Sequence, residues 1–566
     1  MHLPRRISLW IGLILALACA GVQALHAQEA GVPTGEYLIS GQIVDEQGQP
    51  VAAADVRLLA VDETPLAEGE SQEDGSWTLR LDALPAQPLQ LIIERPHFEA
   101  LTLRINPQDF SDAEDYTTGL QTLQRRITAG FWAAGLIFLS VLLLIAFERL
   151  HSTTAALVGM SAVFVVTFIG QAFNPNWYII SFEQALDYVN WEVIFLVMAM
   201  MIVIAVIEGT GIFQWTAFQA YRLSRGRAWL LVLILILVTA VASALLDNFT
   251  TMLLMTPISL QIGLALGINP LALIIPEVLA SNVGGISTLI GTPTNILIGA
   301  HAGIGFNDFL VNQTVGVLLA LLLMSGYVLF HFRGELFGRH AGISETLYQR
   351  LEANARIADP TVLLKSGIVF IFILAGFVIG ERFHVVPAVP ALVGATVLLV
   401  WLKPDVHQMI TAVDWTTLVF FMALFIVVGA VQEVGLISIF AQAIGRLVGT
   451  NLPLAVFMIV FGVGTLSVAI ANIPLAASML PVVDFLTGSL PGASSKVLYY
   501  ALSMGAAMGG NGFLVGGEAN LVTAGITAQA DFPISFVDFL KVGLPVTFLT
   551  LLAGYFWLAV RFGLLG

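Results

Sequence analysis

Apolar runs dominate the chain from residue 129 onward, and a different pattern precedes them. Stretches of 17 or more apolar residues with few charges recur from there to the C-terminus, which is typical of transmembrane helices. Between residues 36 and 118, apolar and polar residues alternate in short runs separated by turn residues. Such alternation indicates half-buried strands. The pattern therefore predicts a polytopic α-helical membrane protein preceded by a small β-sandwich.

Composition and net charge limit the kinds of partner that the chain can bind. The chain has 566 residues, of which 57% are hydrophobic and 11% charged. Its formal net charge of −15 arises largely in the N-terminal third and argues against a nucleic-acid partner. We expect the lipid bilayer and a small inorganic or organic ion as partners.

Residues 1–27 have the pattern of a secretory signal peptide. Arg5 and Arg6 form a basic start, and 7–20 form an apolar core. The alternative is an uncleaved anchor helix. The only cysteine, Cys19, lies inside this segment, so the processed chain has no disulfide. A signal peptide would place the 36–118 domain outside the cytoplasm, at the plasma (inner) membrane.

The N-terminal domain carries one recognisable motif, GQIVDEQGQPV at residues 41–51. It resembles the opening of carboxypeptidase-regulatory-like and transthyretin-like domains. We expect Asp45, Asp74 and His97 to be solvated turn and edge residues without a catalytic role. The domain would bind or space something outside the membrane, and its ligand is unknown.

The membrane part repeats itself. "VNWEVIFLVMAMMIVIAVIEGTGIF" is echoed by "VDWTTLVFFMALFIVVGAVQEVGLI", and the spacing from Trp191 to Asn248 recurs from Trp415 to Asn472. "GGISTLIGTPTN" likewise matches "GGNGFLVGGEAN" without a gap. The resulting plan has six segments: 1–27 signal peptide, 36–118 β-domain, 129–173 leading helices, 189–310 repeat 1, 311–412 linking helices and cytoplasmic loop, and 413–560 repeat 2.

Basic residues orient the two repeats oppositely. Arginines cluster after the opening helix of repeat 1 and in the central loop, at Arg222, Arg225, Arg227, Arg333, Arg339, Arg350 and Arg356. Loops 174–190 and 300–311 have neither Lys nor Arg. The positive-inside tendency then puts the arginine-rich loops in the cytoplasm. This is the inverted-repeat plan of secondary transporters, with the binding site at discontinuous helices near the midplane.

Two helices are expected to break in the membrane, at 284–295 and 509–520. Gly284, Gly285 and Pro293 interrupt the helical ladder in the first. Free carbonyls there can hold a cation, and free N–H groups at a helix start can hold an anion. The alternative is a glycine-rich packing face or a surface loop. Recurrence of the break in both repeats favours a site.

Each repeat has a second interruption, which we interpret as the tip of a re-entrant hairpin. "LLDNFTT" places Asp247 and Asn248 in the middle of an apolar run, and "ANIP" places Asn472 and Pro474 at the matching position. The alternative is that both arms span the bilayer and the polar residues form a surface turn.

Three carboxylates are candidates for coupling, because an intramembrane carboxylate is costly and by default functional. Asp247 is the first, as cation ligand or proton carrier, although it could merely cap the hairpin. Glu518 stands where repeat 1 has Pro293, and Glu277 precedes the first break. Other acidic residues lie near predicted helix ends and are expected at the interfaces: Glu192, Glu208, Glu433 and Asp484.

The predicted ion- and substrate-binding residues lie in the four interruptions. They are Asp247, Asn248, Thr250, Thr251, Asn282, Gly284, Gly285, Gly291, Thr292, Asn295, Asn472, Pro474, Gly509, Gly510, Asn511, Glu518 and Asn520. Na+ is the metal expected at the hairpin tips and broken helices, and Na+ or H+ is the coupling ion in place of any cofactor. No lysine or arginine falls within these segments, which favours cation chemistry.

Four motifs carry a resemblance to a known superfamily: "YRLSRGR", "LLDNFTTMLLMTPIS", "SNVGGISTLIGTPTN" and "GGNGFLVGGEAN". With them the chain resembles the ion transporter superfamily of citrate transporters, arsenite permeases and Na+/H+ antiporters. It is most similar to the branch of the melanosomal P protein and its bacterial relatives. The resemblance implies two hairpins, two broken helices, a homodimer and an elevator-like motion. Relatives usually have Gly-Asp-Pro-Pro-Asn where this chain has Gly-Thr-Pro-Thr-Asn, at 291–295.

These observations predict a secondary active ion transporter rather than an enzyme. Na+/H+ antiport and cation-coupled carboxylate transport are the two closest readings, and arsenite efflux is a third. A passive anion or ion channel, or a membrane sensor that uses the β-domain, are the alternatives from other classes. No HExxH motif or Ser/His/Asp arrangement indicates catalysis.

Overall fold

The computed structural model describes residues 37–46, 48–60, 62, 64–81, 87–106, 108, 110, 115–147, 149–338, 349, 352–353 and 355–565. The predicted signal peptide with Cys19 lies outside these residues, as do Arg339 and Arg350. The chain divides into two compact units, Met1–Ile127 and Thr128–Gly566.

The first unit is a β-sandwich of two sheets. Its strands are β1 (Tyr37–Asp45), β2 (Asp55–Leu59), β3 (Pro65–Glu70), β4 (Ser76–Leu81), β5 (Leu89–Glu94), β6 (Leu101–Ile105) and β7 (Asp115–Leu123). One sheet has the order β4-β1-β7 and the other β3-β2-β5-β6. β1 pairs parallel with β7, and the other described pairs are antiparallel. β7 extends beyond residue 118, where the sequence pattern placed the end of the domain.

Alternating side chains of the two sheets fill the sandwich. Trp77 is 2% exposed and packs against Gly41, where a Cβ atom would lie 2.8 Å from the indole ring. Asp74 behaves as expected of a turn residue, because hydrogen bonds from Ser76 hold the pKa of its exposed carboxyl below its usual range. The expectation of solvated edges was wrong for Asp45 and His97, which are both buried. Asp45 accepts a hydrogen bond from the Gln49 N–H and so closes the loop after β1.

The second unit is helical. Its longer helices are α1 (Ala129–Ala146), α2 (Ser152–Phe173), α4 (Trp191–Glu208), α5 (Ile212–Ser224), α6 (Ala228–Leu245), α7 (Asn248–Leu266), α8 (Leu271–Gly284), α9 (Pro293–Ala302), α10 (Phe306–His331), α11 (Pro360–Gly380), α12 (Ala388–Leu402), α13 (Trp415–Glu433), α14 (Leu436–Val448), α15 (Leu452–Ser467), α16 (Asn472–Ser489), α17 (Val497–Gly509), α18 (Glu518–Gln529) and α19 (Phe536–Arg561). The short helices are α3 (Phe182–Asp187), Arg333–Leu336 and Val406–Thr411.

Both repeats have the same order of elements. α4 to α10 correspond one by one to α13 to α19, each with an interrupted pair and a broken helix. Among the residues that the structure describes, eight helices are long and apolar enough to cross a membrane. Large apolar side chains cover the outside of the unit, for example Leu322 at 69% and Ile371 at 67% exposure. An apolar exterior of this kind suits the bilayer.

The two repeats run in opposite directions. The Tyr188 hydroxyl, just before α4 begins, donates to the Glu433 carboxylate at the end of α13 at 2.8 Å. At their other ends, Glu208 of α4 and Asp414 at the start of α13 line the same cavity. Two antiparallel helices that open equivalent repeats are what an inverted repeat requires.

One end of the helical unit gathers the basic segments. The Ala358 N–H donates to the Thr210 carbonyl at 2.9 Å, and the Asn269 N–H donates to Glu335 at 3.3 Å. Ala265, near the end of α7, packs against the cluster of Phe218 and Ala355, so the end of α4, the α7–α8 turn and the described segments after α10 lie together. Arg356 belongs to this same end and is exposed.

Candidate functional site

The first broken helix is held open by one side chain. α8 ends at Gly284, a single 3-10 turn follows, and α9 does not begin until Pro293. The Asn295 side chain donates to the Ile286 carbonyl at 3.0 Å and to the Thr288 carbonyl at 2.8 Å. The break is thus a fixed structure with its carbonyls bound to an amide, because buried carbonyls without partners are costly.

The second broken helix repeats this arrangement. α17 ends at Gly509, and α18 begins at Glu518. The Asn520 amide donates to the Gly510 carbonyl at 2.8 Å and to the Phe513 carbonyl at 3.1 Å. These carbonyls lie ten and seven residues before the asparagine, as Gly285 and Thr288 do before Asn295.

Glycines are needed where the chain folds back on itself at each break. A Cβ atom at Gly285 would lie 2.5 Å from the Gly291 carbonyl oxygen. At the equivalent position Gly510, it would lie 2.8 Å from the Gly516 carbonyl oxygen. Side chains do not fit at such separations, so the two loops have the same compact backbone.

The tip of the first interrupted pair, α6–α7, is a capped helix start. Asp247 caps α7, since its carboxylate accepts from the N–H and the hydroxyl of Thr250, both at 2.7 Å. Thr251 donates its hydroxyl to the Asp247 carbonyl at 2.8 Å. Asn248 is 5% exposed and donates to the Asn282 side chain at 2.9 Å. The tip therefore contacts the broken helix α8 directly.

The tip of the second pair, α15–α16, lies at the equivalent place with different chemistry. α16 begins at Asn472, which is 5% exposed, and Pro474 is buried in its first turn. Ser467 donates to the Ala506 carbonyl at 2.6 Å, as Ser243 donates to the Ser281 carbonyl in repeat 1 at 2.8 Å.

A network of asparagine side chains joins the two repeats. Asn282 donates to Asn511 at 2.8 Å and to Asn520 at 2.9 Å. Asn511 in turn donates to the Leu279 carbonyl on α8 at 3.2 Å. Buried, satisfied amides of this kind specify one geometry. The two breaks therefore form a single structural unit.

Two adjoining cavities open beside this unit. A cavity of about 140 Å³ is lined by the α6–α7 tip, by Pro293 at the start of α9 and by Glu518 at the start of α18. A larger cavity of about 620 Å³ extends towards α1 and α2. They share four lining residues, Phe249, Asp414, Thr417 and Glu518.

The cavity walls are acidic. Asp247, Glu208, Asp414 and Glu518 line the smaller cavity, whose described lining includes no lysine or arginine. Glu518 lies within electrostatic range of both Asp247 and Asp414. Clustered carboxylates raise the local concentration of cations and repel anions.

Most of the predicted residues come together at these breaks and tips. Thr292 caps α9 through the Asn295 N–H at 3.1 Å. Glu277 is the exception, because it is fully buried on α8 and does not line either cavity.

Sequence reasoning missed two acidic residues of the cavity. Asp414 caps α13 by accepting from the N–H groups of Thr416 and Thr417. In a sequence, an aspartate just before a helix indicates only a helix cap. Glu208 was expected at an interface but lines the cavity. Glu433 was also expected at a membrane interface. It is 7% exposed, and its carboxylate accepts a hydrogen bond from the Tyr188 hydroxyl.

A transition-metal site finds no support in the donor set. Within the described ranges, no group of three or more His, Cys, Asp or Glu residues has the spacing to hold a metal ion. The donors at the tips and breaks are carboxylates, hydroxyls, amide oxygens and backbone carbonyls. Oxygen donors of this kind suit hard cations.

Comparisons with known proteins find a transporter family and sequence relatives. The family model described as "Citrate transporter" matches residues 142–502. An uncharacterized transporter of Mycobacterium tuberculosis is 37% identical over 425 residues, which cover 75% of this chain and 97% of that protein. The human P protein is 30% identical over 579 residues, which cover 87% of this chain and 67% of that protein.

Among solved structures, the chain is similar to the Alcanivorax borkumensis YdaH transporter. The TM-score is 0.47 at 15% identity, and the match covers 77% of this chain and 98% of that one. At this distance the likeness has no bearing on the site.

Proposed function

The chain belongs to the citrate transporter family, and from that premise we propose that it is a secondary active transporter that exchanges Na+ for H+ across the membrane. The ion path runs through the cavity at the two broken helices. Asp247 and Glu518 bind the exchanged ions, with Asp414 beside them.

The observation that carries this proposal is the paired construction of the site. Asn295 and Asn520 hold equivalent breaks in opposite repeats, and Asn282 joins them. A site shared by two inverted halves can be exposed to either side in turn, which alternating access requires. A passive channel has no need of such a symmetric, closed joint.

The acidic lining supports cations as the transported species. Four carboxylates face the smaller cavity, and no described lysine or arginine lines it. Neighbouring carboxylates share protons and cations competitively, since two like charges in contact with one cavity cannot both stay unpaired at low cost. Competition of Na+ and H+ for the same carboxylates is the simplest basis of antiport.

Orientation follows from the arginine-bearing end of the unit. The end of α4 and the segment that carries Arg356 lie together, and the positive-inside tendency assigns that end to the cytoplasm. Glu208 at the end of α4 lines the smaller cavity. The site is therefore accessible from the cytoplasm, with the α6–α7 hairpin re-entrant from that side.

Cation-coupled uptake of a small carboxylate is the second candidate, and one observation favours it. Two helices, α9 and α18, start at the cavity, and a helix start attracts anions. In α18 the first residue is Glu518, whose charge opposes an anion there. This leaves α9, with Thr292 as its cap, as the anion-binding end.

Purified protein in proteoliposomes tests the proposal. Internal pH is followed while Na+, K+, citrate, succinate or arsenite is added outside, with Asp247→Asn as the inactive comparison. Na+-dependent proton movement that needs no other solute supports antiport. Citrate or succinate flux that requires Na+ replaces antiport by the second candidate, and movement only down each ion's own gradient replaces both by a channel.

A further inference from the structure

A second polar cluster lies in repeat 1, away from the cavity. Glu277 on α8, Thr239 on α6 and Ser259 on α7 are each fully buried. Both carboxylate oxygens of Glu277 and both hydroxyl oxygens lack a hydrogen-bond partner. The hydroxyls interact with the carboxyl group, yet neither reaches hydrogen-bond geometry with it.

The cluster lies one helical turn from the joint of the first break. The Ser243 hydroxyl on α6 donates to the Ser281 carbonyl on α8 at 2.8 Å. Thr239 lies four residues before Ser243, and Glu277 lies four residues before Ser281. Four residues along two packed helices keep the same contacting faces. The cluster is therefore anchored to the broken helix but separate from the asparagine network.

Repeat 2 has no such cluster, although its backbone is equivalent. At the positions that match Thr239, Ser259 and Glu277, it has Val463, Val483 and Leu502. All three are buried, with exposures of 2%, 0% and 0%. This part of the fold can thus be filled by apolar side chains, and packing does not explain the polar ones.

A lone buried carboxylate is costly unless a cation or a proton neutralises it. In the part of the chain that the structure describes, no lysine, arginine or histidine forms an ion pair with Glu277. Burying an unpaired carboxylate costs several kcal/mol even after relaxation, by order of magnitude. A bound cation removes that cost, and it supplies the partner that all four oxygens lack.

Convergent oxygens that do not hydrogen-bond to one another are the arrangement expected around a hard cation. Such an ion holds oxygen ligands at about 2.4 Å, so ligands at right angles lie about 3.4 Å apart. A proton would occupy only one oxygen. One carboxylate and two hydroxyls are oxygen ligands, which suit Na+. Thiolate and imidazole ligands, which transition metals prefer, are not among them.

We propose that Glu277, Thr239 and Ser259 form a Na+ site that is present in repeat 1 alone. This proposal rests on the proposed function in one respect: the Na+ that occupies the site is the ion that the protein exchanges for H+. Because the site adjoins the first break only, Na+ binding there stabilises α8 against α6 and α7 and leaves repeat 2 unaffected.

Equilibrium Na+ binding to the full-length protein in detergent tests this site without any transport, and Asp247→Asn is made in every variant so that Na+ binding in the cavity does not mask it. Intrinsic tryptophan fluorescence and thermal unfolding are measured against NaCl at constant ionic strength, with choline chloride as the balancing salt. Glu277→Gln and the double variant Thr239→Val/Ser259→Val should each weaken Na+ binding by at least about tenfold. The double variant introduces the valines that repeat 2 already accommodates, so it keeps the test open if Glu277→Gln does not fold.

Val463→Thr is the matched control, because it makes the reverse exchange at the equivalent depth of repeat 2. It should leave Na+ affinity unchanged. Unaltered Na+ affinity in both repeat 1 variants would overturn the site and leave buried water there. A response of the wild type to pH but not to Na+ would overturn it in favour of a proton.

The outcome is separable from that of the proposed function. Na+ binding that depends on Glu277, in a protein that exchanges no ions in vesicles, supports the site and contradicts antiport. Na+/H+ exchange in vesicles, by a protein whose Na+ binding does not change when Glu277 is replaced, supports antiport and contradicts the site.

Discussion

Asn282 donates its side-chain amide to Asn511 at 2.8 Å, and this is one of the bonds that join the broken helix of repeat 1 to that of repeat 2. Both side chains are buried, at 2% and 0% exposure. The two halves of the site are therefore held in register by amides rather than by ion pairs. Neutral amides can rigidify a joint without competing for the transported ions.

Asn282→Ala tests the importance of this joint for stability. The change leaves the bonding atoms of Asn248, Asn511 and Asn520 without their partner. Each unsatisfied buried group costs about 1–3 kcal/mol, so we expect a fall in the unfolding temperature of the detergent-solubilised protein. Gln408→Ala, an exposed amide elsewhere, should change stability by less than about 0.5 kcal/mol. Equal unfolding temperatures for the two variants would contradict the joint.

Asp247→Asn separates the charge of Asp247 from its cap. Asparagine is as good a helix cap as aspartate, so the α6–α7 tip should keep its geometry and the protein should still insert. We expect coupled flux to be abolished, as measured by ion movement in proteoliposomes. Asp359→Asn, which changes the cap of α11, should transport normally. Normal transport by the Asp247 variant would remove this carboxylate from the mechanism.

Thr417→Cys tests the side from which the cavity opens. Thr417 lines both cavities, and with Cys19 replaced by alanine the chain has no other cysteine. A membrane-impermeant thiol reagent should label position 417 from the cytoplasmic side. Ser495→Cys should be labelled from outside. Ser495 lies in an exposed turn beside Lys496, whose ammonium group donates to the Ala302 and Gly303 carbonyls. The reverse pattern would contradict the orientation.

Removal of the β-sandwich tests the sensor alternative. The first unit, which ends at Ile127, is compact by itself, and Thr128 caps α1. Deletion of residues 37–126 keeps that cap and should leave ion flux at the level of the full chain. Loss of flux in a deletion variant that still reaches the membrane and binds Na+ would show that the domain controls transport.

Much of the fold follows from the sequence because the chain contains two copies of one pattern. Equal spacing of Trp191 to Asn248 and of Trp415 to Asn472 aligns the helices, and glycines mark each break. The structure has both breaks where the pattern predicted them, between Gly284 and Pro293 and between Gly509 and Glu518. Local backbone preference is strong at such positions, so little tertiary information is needed.

The missed parts of the site depend on tertiary contacts. Asp414 precedes a helix and looks like a cap, and only the antiparallel packing of α4 and α13 brings it beside Glu208. The bond from Asn282 to Asn511 joins residues 229 positions apart. Glu277 was predicted at the coupling site, but the periodicity of α8 does not tell which of its neighbours it faces. Side-chain partners across two repeats cannot be obtained from spacing along one.

The most direct test of the central claim is ion coupling across a sealed membrane. Proteoliposomes with equal pH on both sides receive an outward Na+ gradient, with valinomycin and equal K+ to clamp the membrane potential. We predict that protons enter the vesicles as Na+ leaves, that the internal pH falls below the external pH, and that Asp247→Asn prevents it. An internal pH that never departs from the external value, in vesicles whose protein is folded and inserted, would contradict Na+/H+ antiport through the paired breaks.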